Sequence, residues 1–132
     1  WLYKSALQRV YRGAVESKYP VLSRYNFAIC FENCIMRGYI TDRIFDCFFA
    51  GTIPVYWGAP DIEDYVPKEC FIDMRDFKTY AKLREFLKSL TRSEIESYKE
   101  SAREYLHSER FKPYTREHFA KMFVDAINGK GV

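Results

Sequence analysis

Glu32, Asn33, Tyr39, Thr41, Asp42 and Arg43 bring a carboxylate, an amide, a phenol, a hydroxyl and a guanidinium into one short stretch of an otherwise apolar region. They stand between "NFAICF" and "ITDRIFDCFFAG", the first patterned as a buried strand and the second as a helix. A helix start presents free backbone N–H groups and a partial positive charge, which suits phosphate. Arg43, in the first turn, adds a planar fork able to grip two phosphate oxygens. Asp42 suits the hydroxyls of a ribose, as acidic residues do in dinucleotide sites. With Tyr39 offering a ring and a hydroxyl, the set fits a nucleotide-sugar. The same spacing also fits a plain helix-start carboxylate beside a surface cation. Glu32, likewise, reads equally as a general base or as a strand-end carboxylate bonding the next helix.

The elements around this patch predict where it sits. Continuous apolar runs of the "NFAICF" kind belong to strands with both sheet faces covered. Thr41 can cap the following helix, whose Ile40, Ile44, Phe45, Phe48 and Phe49 follow a 3, 4 spacing until Gly51. "TIPVYW" predicts a second buried strand, "GAPD" a turn, "DIEDYV" a short helix and "CFIDM" a third strand, with Phe71–Met74 as its body. Upstream, Leu2, Ala6, Leu7 and Val10 predict a helix ended by Gly13, and "VLSRY" a helical turn. Downstream, Leu83, Phe86, Leu87 and Leu90 form one helical stripe, and "SEIE" at Ser93 matches a capping box. A further helix buries Ile95, Tyr98, Ala102, Tyr105 and Leu106, and a last one aligns Phe119, Met122, Phe123, Ala126 and Ile127 as core. Strand, helix, strand, short helix, strand predicts an α/β domain with a Rossmann-like parallel sheet flanked by helices. Ligands of such sheets bind beyond the carboxyl ends of the strands, where the patch lies.

Composition narrows the function classes. The 132 residues, 48% hydrophobic and 30% charged, suffice for one domain with one core and exclude a disordered or fibrous chain. A formal charge of +3 is too mild to argue for nucleic acid. No run approaches the ~20 apolar residues of a membrane-spanning helix. Cys30, Cys34, Cys47 and Cys70 form no CxxC pair, and His107 and His118 lie far from them. Buried, reduced and unbridged thiols are expected of Cys30, Cys47 and Cys70, which mildly favours a reducing compartment. Neither GxGxxG nor GxxxxGK[ST] occurs. The chain opens at Trp1 inside a helical pattern, so a piece of a longer protein is expected.

The motifs, taken together, resemble one family. Tyr25 to Phe27, Phe31-Glu32-Asn33, Tyr39-Ile40-Thr41, Gly51 to Val55, Gly58-Ala59-Pro60 and "FIDMRDF" stand in the order seen in the α-1,3/1,4-fucosyltransferases, glycosyltransferase family 10. The tail "SERFKPYTREHFA" resembles bacterial members. Asp42-Arg43 replaces the family's usual Glu-Lys, which keeps the charges but changes reach and shape. The resemblance implies a GT-B enzyme of which residues 1–132 are the C-terminal, donor-binding half with a helical tail. It implies inverting transfer of fucose from GDP-fucose to an oligosaccharide hydroxyl. On that reading Arg43 and the helix start hold the diphosphate, Asp42 the ribose and Tyr39 the base or the fucose. Glu32, Asn33 and Thr41 shape the pocket. No catalytic residue falls in this chain, since the family takes its general base from an N-terminal acceptor domain absent here. No metal or other cofactor and no nucleic acid are expected. A bacterial parent is expected in the cytoplasm, with room for peripheral association at the inner membrane; a eukaryotic one belongs in the Golgi lumen. The alternatives are a transferase using another nucleotide-sugar and a non-catalytic nucleotide-binding domain.

Overall fold

The computed structural model describes residues 8–129. Residues 8–10 are helical, and the helix is left three residues before Gly13, whose φ is +94°. The other apolar positions predicted for that helix, Leu2, Ala6 and Leu7, lie outside the described residues. A short helix α1 (Tyr19–Leu22) carries Pro20 in its first turn, where a missing N–H and a fixed φ are tolerated. It leads into strand β1 (Phe27–Phe31), helix α2 (Asp42–Ala50) and strand β2 (Ile53–Trp57). After α3 (Ile62–Tyr65) comes β3 (Ile72–Asp73), then α4 (Tyr80–Ser89), α5 (Arg92–Leu106) and α6 (Arg116–Ile127).

The three strands form one parallel sheet in the order β1-β2-β3, as the alternation predicted. Phe27 pairs with Ile53 and Phe31 with Trp57, while β3 meets only Val55 and Tyr56. That short pairing explains how the central strand tolerates Pro54. The Ile53 N–H bonds to Asn26 O at 2.9 Å and the Trp57 carbonyl accepts from Glu32 at 2.8 Å, so odd-numbered residues of β2 bond toward β1. Pro54 faces the other side, before β3 begins, where no ladder bond is lost.

β3 is shorter than the predicted Phe71–Met74, for a local reason. A 3-10 turn (Lys68–Cys70) occupies its approach, and a second (Met74–Asp76) follows at once. The second is held by Asp73, whose Oδ1 accepts from the Arg75 N–H at 2.8 Å. The Asp73 carboxylate is buried and is also clamped by the Arg75 guanidinium at 2.5–3.0 Å. Burial pushes this carboxyl up, but the hydrogen bonds from Arg75 outweigh it and hold Asp73 below its ordinary value. A depressed folded-state pKa stabilises above the unfolded value of ~3.9 and stops doing so as pH falls through the folded one. We expect Asp73→Asn to lose about 1.5–3 kcal/mol at pH 7, because Arg75 and its N–H lose a charged acceptor. Urea midpoints of the two proteins should converge as pH falls below the unfolded value of ~3.9; a gap that stays undiminished as pH falls would remove the carboxylate from the account.

Both faces of the sheet are covered at β2 and β3, but the edge strand β1 leaves Ile29 66% exposed, short of the two-sided burial its continuous apolar run predicted. One layer joins Cys30 and Tyr56 to Ile44, Cys47 and Phe48 of α2, with Tyr105 and Phe111 closing it. The other joins Ile53, Val55 and Ile72 to Leu83 of α4, with Phe86, Leu87, Leu90, Ile95 and Tyr98 packed alongside. Cys30, Cys47 and Cys70 are buried and free, Cys34 is exposed and free, and burial pushes the Cys70 thiol up to about 12. Among the described residues no helix is long and apolar enough to cross a membrane.

Three expectations need correction. Phe49 is exposed: its neighbours Ile44 and Phe48 already fill the groove over the sheet. The capping box is Thr91 with Glu94, not Ser93 with Glu96; Thr91 accepts from the Glu94 N–H while Glu94 accepts from that of Thr91 at 2.7 Å. The stripe on α6 is not core, with Phe119 70% and Phe123 61% exposed. Phe111, just before α6, already seals the layer beneath, so α6 projects past it.

Candidate functional site

The patch between β1 and α2 lies at the carboxyl rim of the sheet, where β1 ends and the first turn of α2 begins. Thr41 has extended backbone and caps α2, its hydroxyl accepting from the Arg43 N–H at 3.4 Å. That uses one of the four free N–H groups at the helix start. Gly51, in the left-handed conformation, ends the helix as its position predicted.

Glu32 is the hub. Its side chain is wholly buried, yet it is a charged group, so it must be matched by donors. Thr41 supplies its backbone N–H at 2.9 Å and its hydroxyl at 2.8 Å, and Arg43 supplies Nη1 at 3.4 Å. Of the two readings of Glu32, the geometry builds the strand-end carboxylate that fastens the next helix. Gly58 lies against it: a Cβ there would come within 2.5 Å of the Glu32 side chain and 2.4 Å of the Tyr56 hydroxyl. The Gly-Ala-Pro turn therefore needs glycine for close approach. The buried Tyr56 hydroxyl accepts from the Ala59 N–H at 3.0 Å, and burial pushes it up to about 12.

Arg43 folds back over the strand end. Nη1 donates to the Phe31 carbonyl at 2.8 Å and Nη2 to Asn33 Oδ1 at 3.0 Å. The side chain is 40% exposed, so an anchored guanidinium still shows solvent-facing N–H groups beside the helix start. A fork held this way loses little entropy on gripping an anion.

Tyr39 is half-buried in the turn before Thr41, its N–H bonded to Met36 O at 3.2 Å. That turn is tied to the Gly-Ala-Pro-Asp segment, since Asp61 accepts from the Gly38 N–H at 2.9 Å and pairs with Arg37 at 3.6 Å. Asp42 points elsewhere. It is exposed and bonds Lys18 at 3.1 Å, and that hydrogen bond holds its carboxyl below the ordinary value. Lys18 also pairs with buried Asp46, which accepts from the Tyr19 hydroxyl at 2.9 Å. Thus Glu32, Asn33, Thr41 and Arg43 form one bonded cluster, and Tyr39 and Asp42 flank it. Lys18, Asp61 and the Asp73–Arg75 pair were missed by sequence reasoning. Lys18 and Asp42 are 24 positions apart, and no spacing rule links them. Among the described residues, no three His, Cys, Asp or Glu side chains converge as a metal site.

A parallel sheet between helices, with a cation and a helix start at its carboxyl rim, defines a Rossmann-like domain. The family model described as "Glycosyltransferase family 10 (fucosyltransferase) C-term" matches residues 3–123. The chain belongs to that family. Over 77 residues it is 42% identical to an alpha-(1,3)-fucosyltransferase of Helicobacter pylori, covering 58% of this chain and 16% of that protein. Over 76 residues it is 34% identical to the mouse (Mus musculus) 4-galactosyl-N-acetylglucosaminide 3-alpha-L-fucosyltransferase 9, covering 56% of this chain and 21% of that one. A crystal structure of an alpha1,3-fucosyltransferase with GDP-fucose superposes with a TM-score of 0.58 at 29% identity, covering 76% of this chain and 32% of its own. The matched segments thus span only 16% and 21% of the length of these two curated relatives.

Proposed function

We propose that this chain is the donor-binding part of a fucosyltransferase that moves fucose, with inversion, from GDP-fucose to an oligosaccharide hydroxyl. The observation that carries the proposal is the Arg43 guanidinium, fixed by Phe31, Glu32 and Asn33 at the first turn of α2. Departure of GDP leaves negative charge on the diphosphate, and a preorganised cation beside helix N–H groups stabilises charge as it develops. Asp42, held to Lys18 only by an exposed and weak pair, can exchange that partner for ribose hydroxyls. Tyr39 contributes ring and hydroxyl to the base or the fucose, and Glu32, Asn33 and Thr41 keep the pocket in shape. The base that takes the proton of the acceptor hydroxyl comes, on this reading, from an N-terminal domain of the same enzyme.

Membership of the family and the GDP-fucose named in the neighbour's structure support this reading. A bacterial parent would act in the cytoplasm or at the inner membrane surface, a eukaryotic one in the Golgi lumen. Competition decides the donor: GDP-fucose should displace a fluorescent GDP analogue from the chain, and UDP-galactose should not. Equal displacement by both would leave a site for diphosphates of any nucleoside.

A further inference from the structure

The Gly-Ala-Pro turn after β2 is held from two sides. The buried Tyr56 hydroxyl accepts from the Ala59 N–H at 3.0 Å. From beyond β3, Arg75 donates Nη1 to the Pro60 carbonyl at 2.8 Å, while the buried Asp73 carboxylate fixes its Nε and Nη2. Asp61 follows Pro60 directly, so its backbone starts from a braced position.

Asp61 stands immediately before α3, where an aspartate ordinarily caps the helix, but its side chain makes no capping bond. Its carboxylate, only 9% exposed, crosses 23 positions instead. It accepts from the Gly38 N–H at 2.9 Å and lies 3.6 Å from Arg37 Nε. The Arg37 side chain is 79% exposed, so that ion pair adds little. The bond to Gly38 is the tie that matters. Residues 34–39 form no helix or strand, and Tyr39 comes directly after Gly38. A ring on an untied loop must be ordered when a ligand arrives, which costs affinity, whereas a ring already in place avoids that cost.

Resting on the donor reading above, we infer that Asp61 is a positioning residue. Through the Gly38 N–H it holds Tyr39 ready for the base or the fucose, and Asp73 and Arg75 are its brace. Asp61 touches no part of the donor, and its effect on binding passes through Tyr39. Arg43 is fastened separately, by Phe31, Glu32 and Asn33, and keeps its place without Asp61.

The test is a double-mutant cycle, read by nuclear magnetic resonance titration of the ¹⁵N-labelled full chain with GDP-fucose while following the Arg43 amide. The proteins are wild type, Tyr39→Ala, Asp61→Ala and the double variant. Each single variant should bind about 3–10-fold more weakly, the range for one lost aromatic contact. In the Tyr39→Ala background, Asp61→Ala should change the affinity by less than about 2-fold, because the two residues act as one unit. Asp61→Asn keeps an acceptor for the Gly38 N–H and should bind within about 2-fold of wild type. If Asp61→Ala does not fold, Asp61→Ser, whose side chain is too short to reach Gly38, takes its place in the cycle. A loss from Asp61→Ala that is the same with and without Tyr39 overturns the inference, and so does wild-type affinity in Asp61→Ala. Absence of GDP-fucose binding to wild type overturns the donor reading and the inference together, whereas binding without coupling overturns the inference alone.

Discussion

Glu32→Ala is expected to cost about 2–4 kcal/mol of folding stability, a large share of the ~5–15 kcal/mol that holds a domain together. The side chain is fully buried and serves the Thr41 N–H, the Thr41 hydroxyl and Arg43 at once. Truncation strands a backbone donor at the helix start, frees the guanidinium and opens a void beneath Gly58. Glu32→Gln keeps the shape and one acceptor, so about 1–2 kcal/mol is expected. Urea unfolding should show the midpoint falling in that order with an unchanged slope. An alanine variant within about 0.5 kcal/mol of wild type would mean that the cluster carries no structural weight.

Arg43→Ala is expected to weaken GDP binding by about 1.5–3 kcal/mol, roughly 10–150-fold, because charge-assisted bonds to phosphate are lost. Little of that loss should come from unfolding. Arg43 is only half-buried, and its removal leaves Glu32 with both Thr41 donors. Arg43→Lys should cost less, since the charge remains while the fork is lost. Lysine cannot reproduce the bonds to Phe31 and Asn33 together, so the retained cation is less well placed.

Much of the fold was legible because its signals are local. The apolar runs of β1 and β2, the Thr41 cap and the Gly51 stop each act within a few residues, and each lies where its chemistry predicted. Pattern reading placed the capping box at Ser93 with Glu96, whereas Thr91 with Glu94 fits the same motif two residues earlier. The earlier start prevails, with the Ile95 N–H bonded to Thr91 O at 3.1 Å and Ile95 and Tyr98 still turned inward. What stayed hidden depends on distant partners. Periodicity showed that α6 has an apolar face but not what lies opposite it, and Phe119 and Phe123 find nothing among the described residues to bury them. At the site, the residue types and the rim position were readable, whereas the bonds were not. Arg43 meets acceptors 10 to 12 positions away, and Asp42 turns to Lys18 from a segment with no motif. The choice between a phosphate-gripping cation and a plain surface cation therefore passes to binding.

Titration calorimetry of GDP into wild type, Arg43→Ala and Arg43→Lys is the direct measure of that claim. With one wall of the pocket supplied by this chain, wild type should bind with a dissociation constant on the order of 0.1–1 mM, or roughly 4–5.5 kcal/mol. The lysine variant should bind more weakly than wild type, and the alanine variant weakest of the three. Equal affinities in all three proteins would make Arg43 a structural brace at the strand end and contradict its assignment to the diphosphate.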